Sequence, residues 1–215
     1  MTEGPSTQVT RLRAKQRTEL AALHALLDTT FVGHFAVTDG HGHPVVFPTA
    51  IARDGDHVLA HGSTGSPWMR ALAAGAPTSL AVTALDGLVV ARSTFESSLH
   101  YRSAVLFGAC SAVRDADKPA ALDVLTDAML PGRAAEVRRP WPRELAATLV
   151  LSMPIEQWSL KISDGWPDDE DADIAGDAWA GVVPMHTRRG TPVPAPDLRA
   201  GIAAPASLRQ LPDAP

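Results

Sequence analysis

Three Asp-Gly steps, Asp39-Gly40, Asp54-Gly55 and Asp86-Gly87, do most to restrict the fold of this chain. Each separates short runs rich in branched and apolar residues, and such dipeptides close hairpins because glycine accepts the positive φ that other residues resist. The runs extend over Phe31 to Thr38, Pro44 to Ala52, His57 to His61, Ser79 to Leu85, Leu88 to Ser93 and Tyr101 to Val113. Strands this close in sequence pair antiparallel, and five or six with a common apolar face close into a barrel rather than leave edges exposed. The expected class is therefore mainly β (α+β), a small antiparallel barrel with peripheral helices.

The helices carry their own signals. Leu20, Leu23, Leu26 and Leu27 form one apolar face within residues 17–29. Ser66-Pro67 opens a short helix that Gly75 closes, with Ser as N-cap and Pro at the first helical position. Asp117 to Leu130 reads as a longer helix ended by Pro131-Gly132, and Pro142 to Ala147 as a shorter one. Further strands are expected at Leu149 to Ser163 and Trp179 to Met185. Beyond Gly190 the chain has no periodicity and holds six of its 18 prolines. The organisation read from this is an arm over 1–16, one domain over 17–189 and a flexible Pro-rich tail over 190–215.

Composition narrows the function classes. A formal net charge of -5 with no basic stripe argues against a nucleic-acid partner. Cys110 is the single cysteine, which excludes an intrachain disulfide and a thiolate metal cluster and fits a reducing compartment. Neither a signal-peptide core nor an apolar run of about 18 residues is present, so no membrane partner is expected and the cytoplasm is the expected location.

The candidate chemistry is phosphate binding beside a flat ring. Arg92 and Arg102 lie next to hydroxyls in neighbouring strand-like runs, and an arginine makes the planar, bidentate contact that a phosphate or carboxylate accepts. Alternation sends Tyr101 and Ser103 to one face and Arg102 to the other. His61-Gly62-Ser63-Thr64-Gly65-Ser66 lies between a strand and a helix and offers backbone N–H groups and three hydroxyls, a cradle for an anion. The bland readings stand beside these: an ordinary capped turn for 61–66 and a rim salt bridge for Arg102.

Other groupings are weaker. His34, His41 and His43 lack ligand spacing and read as solvated turn residues rather than a metal site. The acidic run Asp168-Asp169-Glu170-Asp171 with Asp173 reads as solvated rather than as a cation site. No G-x-S-x-G elbow supports a hydrolase. Trp179 either stacks on a heterocycle or fills the barrel end.

Together these segments resemble the pyridoxamine 5'-phosphate oxidase-like proteins with an FMN-binding split barrel, in the flavin-nucleotide-binding or nitroimidazole-resistance-like branch. The resemblance rests on Arg53-Asp54-Gly55-Asp56, His61-Gly62-Ser63, Asp86 to Ser93, His100-Tyr101-Arg102-Ser103, Pro131-Gly132-Arg133, Glu144 to Thr148, Ser159 to Ile162 and Trp179 to Pro184, in family order over roughly residues 10–195. It implies a six-stranded antiparallel split β-barrel that forms a homodimer with FMN in clefts between subunits. Carried over, Pro48, Thr49 and Ala50 would line the isoalloxazine edge, and His61, Gly62, Ser63 and Ser66 would hold the ribityl chain and phosphate. Arg92 would complete one wall of the cleft, Tyr101, Arg102 and Ser103 would approach from the partner subunit, and Trp179 would close the site. The chain departs from the family pattern at Pro67, where a basic residue is usual, at His100, where Asn is usual, and at Glu96 or Ser97, where His is usual. Arg70, one helical turn on, is the residue placed to substitute for the missing cation.

The resemblance implies an oxidoreductase in which a hydride passes between the flavin and a reduced nicotinamide, NAD(P)H, or a small organic substrate. Tyr101, His61 and Arg102 are the side chains implied to meet flavin or substrate, with no assigned catalyst and no metal. The rival reading is a non-catalytic module that carries FMN or haem for storage, sensing or protection, with His61 or His100 as axial ligand. A scaffold that has lost its cofactor is the third.

Overall fold

Alternation along the apolar runs builds strands whose inner rows fill a barrel, and the computed structural model describes this for residues 6–209 and 211. In chain order the elements are β1 (Gln16–Arg17), α1 (Leu20–Thr29), β2 (Val32–Thr38), β3 (Pro44–Asp54), β4 (His57–Ser63), α2 (Pro67–Ala73), β5 (Pro77–Val90), β6 (Ser98–Ala109) and β7 (Ser111–Ala112). They continue with α3 (Lys118–Met129), α4 (Arg133–Glu136), α5 (Pro142–Ala147), β8 (Thr148–Pro154), β9 (Gln157–Ser163), α6 (Asp171–Ile174), β10 (Gly181–Pro184) and α7 (Ala206–Arg209). All strand pairs are antiparallel, in the order β1-β9-β6-β5-β2-β3-β4-β8-β7, with β10 on the second half of β5.

The barrel is split into two ladders that exchange strands. β3 pairs with β2 through Ala50 and with β4 from Ile51 onward, so one strand turns the corner between them. β6 passes into β7 across the buried Cys110, and the chain crosses back between β8 and β9. Burial of the Cys110 thiol pushes its pKa up to about 12, which leaves it a packing residue.

The inner rows include Phe35, Ile51, Ala60, Leu80, Leu106 and Leu160, all at most 2% exposed. Leu23, Leu26 and Leu27 of α1 and Met69 and Leu72 of α2 cap this core, as their helical spacing requires. A second, smaller core forms on the other side of the β4 ladder, where Ala52, Leu59 and Val150 meet Ala121 and Leu125 of α3. β4 is therefore buried on both faces at its centre and emerges at His61 and Ser63, both exposed.

Four sequence expectations change. Asp86-Gly87 is not a hairpin: β5 runs unbroken through it, with a register shift between Leu85 and Gly87. Gly87 keeps a φ open to any residue; glycine is needed there because an added Cβ would lie 3.0 Å from the Val183 carbonyl of β10. Leu149 to Ser163 is two strands rather than one, since β8 joins β4 while β9 joins β6. The six strands become ten, the additions being short edge strands and these divisions. The described part of the tail beyond Gly190 includes the helical turn α7, where the buried Ser207 donates its N–H to Glu136 at 2.9 Å and its hydroxyl to the same carboxylate.

The other two Asp-Gly steps do turn the chain. Gly55 has φ 57°, and at the first turn Gly42 takes the positive φ of 85° while the Asp39 carboxylate accepts the N–H groups of His41 and His43. Those bonds hold the Asp39 carboxyl below its usual range.

Candidate functional site

Strand order divides the residues singled out from sequence into two groups. Pro48, Thr49 and Ala50 on β3, His61, Gly62 and Ser63 on β4, and Ser66 before α2 form the first. Arg92, Tyr101, Arg102, Ser103 and Trp179, on or beside β5, β6 and β10, form the second. From β4 to β6 the ladder steps through β3, β2 and β5. At roughly 4.8 Å per strand this is about 19 Å along the curved sheet.

In the first group, alternation places Pro48 and Ala50 outward with His61 and Ser63, while Thr49 points with Phe47 and Ile51 toward the core. Gly62 also faces inward, where an added Cβ would meet Met69 Cε at 3.2 Å. The turn does not offer the free backbone donors expected of it: Thr64 N–H bonds to the Ala147 carbonyl, Gly65 N–H to Ser63 Oγ and Ser66 N–H to the Ser63 carbonyl, at 3.0, 3.1 and 3.0 Å. Its available groups are side chains. The Ser66 hydroxyl makes no capping bond, and Arg70 donates to the Thr64 carbonyl at 3.0 Å and forms no ion pair among the described residues. Trp68 stacks on Phe47 with ring centroids 4.9 Å apart, fixing α2 against the barrel.

In the second group both arginines are already committed. Arg102 lies on the inner row beyond Ala104 and makes a two-point contact with Asp86 at 2.9 and 3.0 Å, with the Thr29 hydroxyl of α1 at 3.5 Å. That pairing raises the guanidinium pKa above its ordinary value. Arg92 donates its backbone N–H to one oxygen of Asp169 and its guanidinium to the other, each at 2.8 Å. The Asp169 side chain is 1% exposed. These partners were hidden in sequence, because Asp86 looked like a turn residue and Asp169 like one charge in a solvated run.

Tyr101 and Ser103 face outward, Ser103 with its hydroxyl 3.2 Å from Thr83 Oγ1 and Tyr101 with the Lys161 ammonium 6.0 Å from its ring centroid. His100 Nε2 lies 2.8 Å from the Gly165 carbonyl. Trp179 is 67% exposed and folds over Gly181, so that an added Cβ there would lie 2.8 Å from the indole.

His34 is not a turn residue. It lies within β2, exposed, paired across the sheet with Pro48 on one side and Ala81 on the other. Among the described residues no group of three or more His, Cys, Asp or Glu could hold a metal ion, and no helix is long and apolar enough to cross a membrane.

Comparison with known proteins places this geometry. The family model described as pyridoxamine 5'-phosphate oxidase matches residues 19–162. The chain is similar to the FAD and haem binding protein of Mycobacterium smegmatis, at 54% identity and TM-score 0.88, over 91% of this chain and 96% of that one. It is also similar to a flavocytochrome from Azotobacter vinelandii, at 32% identity and TM-score 0.90, over 99% and 100%. A Bacteroides thetaiotaomicron protein assigned to 5-nitroimidazole antibiotic resistance shares the fold, at 15% identity and TM-score 0.57, over 68% and 86%. A comparison with curated proteins finds no match.

Proposed function

The chain belongs to the pyridoxamine 5'-phosphate oxidase family, and from that premise we propose that it is a flavin-dependent oxidoreductase that also carries haem. The observation that carries the flavin assignment is Arg70: it lies beside the 61–66 turn with no carboxylate partner among the described residues, while Arg92 and Arg102 are neutralised by aspartates. Arg70 and the Ser66 hydroxyl would hold a flavin phosphate by charge-assisted bonds, which takes over the part of the basic residue that Pro67 displaces. His61 and the outward faces of Pro48 and Ala50 would border the ring system.

A bound flavin supplies the acceptance of a hydride and its delivery as electrons. The chain would orient it through Arg70 and the Ser66 hydroxyl at the phosphate end. We take the flavin to be FAD, by likeness to the Mycobacterium smegmatis protein, with FMN as the alternative that the family resemblance implies. Reduced nicotinamide is the proposed donor.

We also propose a homodimer. Tyr101 and Ser103 lie four strand spacings from His61 along the ladder, and a second copy whose β6 faced the 61–66 turn would bring both groups to one flavin. The test is to purify the protein, release its flavin and weigh it, then add NADPH without oxygen. FAD that bleaches supports the reading. Protein that takes up neither FAD nor FMN overturns it.

A further inference from the structure

We propose that the cavity at one end of the barrel, between α2 and the β2–β3 turn, binds a flat apolar molecule that carries a cationic amine, with Asp39 as its counter-charge. The inference stands apart from the flavin reading. Neither Arg70 nor His61 lines this cavity, which borders the proposed phosphate position only at Ser66.

The cavity exists because this end of the core is left uncovered. Alternation turns Val37 of β2 and Val45 and Phe47 of β3 inward, and the buried Met69 and Leu72 anchor α2 over the barrel. The closure is incomplete: Val45, Phe47 and Trp68 pack against the core yet stay partly exposed. Between them lies a space of about 490 Å³, walled by Val37, Val45 and Phe47 on the barrel side and Pro67, Trp68 and Ala71 on the helix side. Sites for small organic molecules occupy about 300–1,000 Å³ and have such apolar walls with a few polar groups. The walls are also fixed before any ligand arrives. The Trp68 ring lies on Phe47 at 4.9 Å, only 8° from parallel, with Phe35 behind it at 6.3 Å, so a ligand loses little affinity to ordering the site.

Charge selects among the molecules that would fit. Thr38, Asp39 and Gly40 complete the lining at the turn. Asp39 Oδ1 accepts the N–H groups of His41 and His43 at 2.8 and 2.9 Å, and these bonds keep the carboxyl below its usual range and therefore ionised at neutral pH. Oδ2 has only the His43 imidazole, 3.2 Å away on a side chain that is 75% exposed. Among the described residues no lysine or arginine pairs with Asp39. A carboxylate beside aromatic rings suits an ammonium group, which takes a charge-assisted bond from the oxygen and is attracted by the ring electrons. The other charged cleft, between α1 and α3, is satisfied from within: Arg53 holds Asp28, Arg139 holds Asp123 and the Ala134 N–H holds Asp127.

The test titrates the full-length protein with biphenylmethylamine, a cation at neutral pH, and with biphenylcarboxylate, which has the same flat body and the opposite charge. The indole N–H signals of the five tryptophans are followed by NMR, and the Trp68 signal is the one missing from Trp68→Phe. The amine is expected to move that signal saturably and to bind about tenfold or more tightly than the carboxylate. Asp39→Asn, which keeps the oxygen that accepts the two N–H bonds, should bring the amine down to the affinity of the carboxylate. Ala71→Phe, which fills the cavity from α2, should abolish binding of both. Flavin absorbance and far-UV circular dichroism should stay as in the wild type. An amine that leaves the Trp68 signal in place, equal affinity for the two probes, or undiminished amine binding in folded Asp39→Asn or Ala71→Phe would each overturn the assignment. Failure to take up flavin is read separately, from the absorbance, and bears on the flavin reading alone.

Discussion

At the scale of single residues, the carboxylates decide what the arginines can do. Arg92 and Arg102 attract attention in the sequence as phosphate ligands, but each faces an aspartate in the folded chain. The Asp169 contact is sheltered, and a hydrogen bond to a charged group contributes about 1.5–3 kcal/mol. Asp169→Ala is therefore expected to lower stability by roughly 2 kcal/mol, read as a lower urea midpoint with an unchanged slope. A midpoint equal to the wild type would show that the Asp169 bonds contribute nothing net. Glu144 offers a second test at this scale. Its bonds to Arg138 and to the Trp141 N–H hold its pKa down at about 2 from the ordinary 4.5. Because the folded value is depressed, the stabilisation it gives is complete above the unfolded value and fades as pH falls toward about 2. In Arg138→Met, carbon NMR of the Glu144 carboxyl should show titration moved up toward 4.5, and an unmoved titration would assign the depression elsewhere.

At the scale of elements, β2 and β5 carry the architecture. β2 approaches the core so closely that a Cβ at Gly33 would meet Leu80 Cδ1 at 2.6 Å and Ile51 at 3.1 Å. Gly33→Ala forces those side chains off their positions, and overpacking of this kind costs about 1–3 kcal/mol. Leu106→Ala in the same barrel leaves a void instead and costs about 2–5 kcal/mol. Thermal melts of the two variants should both fall; a Gly33→Ala protein as stable as the wild type would mean that Leu80 has room to move. Element boundaries also show where sequence signals mislead. An Asp-Gly step is a good hairpin signal when the flanking strands must separate, and β5 instead has β6 on one side and, on the other, β2 near its start and β10 at its end. Pairing with β6 on both sides of the register shift at Asp86 outweighs one dipeptide's preference for a turn.

At the scale of the whole molecule, the outward sheet face is the open question that function answers. Val46 and Leu85, 56% and 40% exposed, lie on it at either end of the surface that a second copy would cover. If the flavin site is completed by two chains, Val46→Glu with Leu85→Glu should give a monomer by sedimentation and lower flavin content, with circular dichroism unchanged. A dimer that persists with full flavin would place the interface elsewhere. The sequence by itself determined the class of the fold, the helix limits near Pro67, Lys118 and Pro142, and the family, because alternation, capping residues and motif order act over a few neighbouring positions. Only the tertiary structure decided that Arg92 and Arg102 are spent on aspartates 77 and 16 positions away, that β2 stands between the strands that carry the two site groups, and that the 61–66 turn spends its backbone donors within the chain. Those facts depend on strand order and register, and a one-residue change in pairing would turn every outward side chain inward.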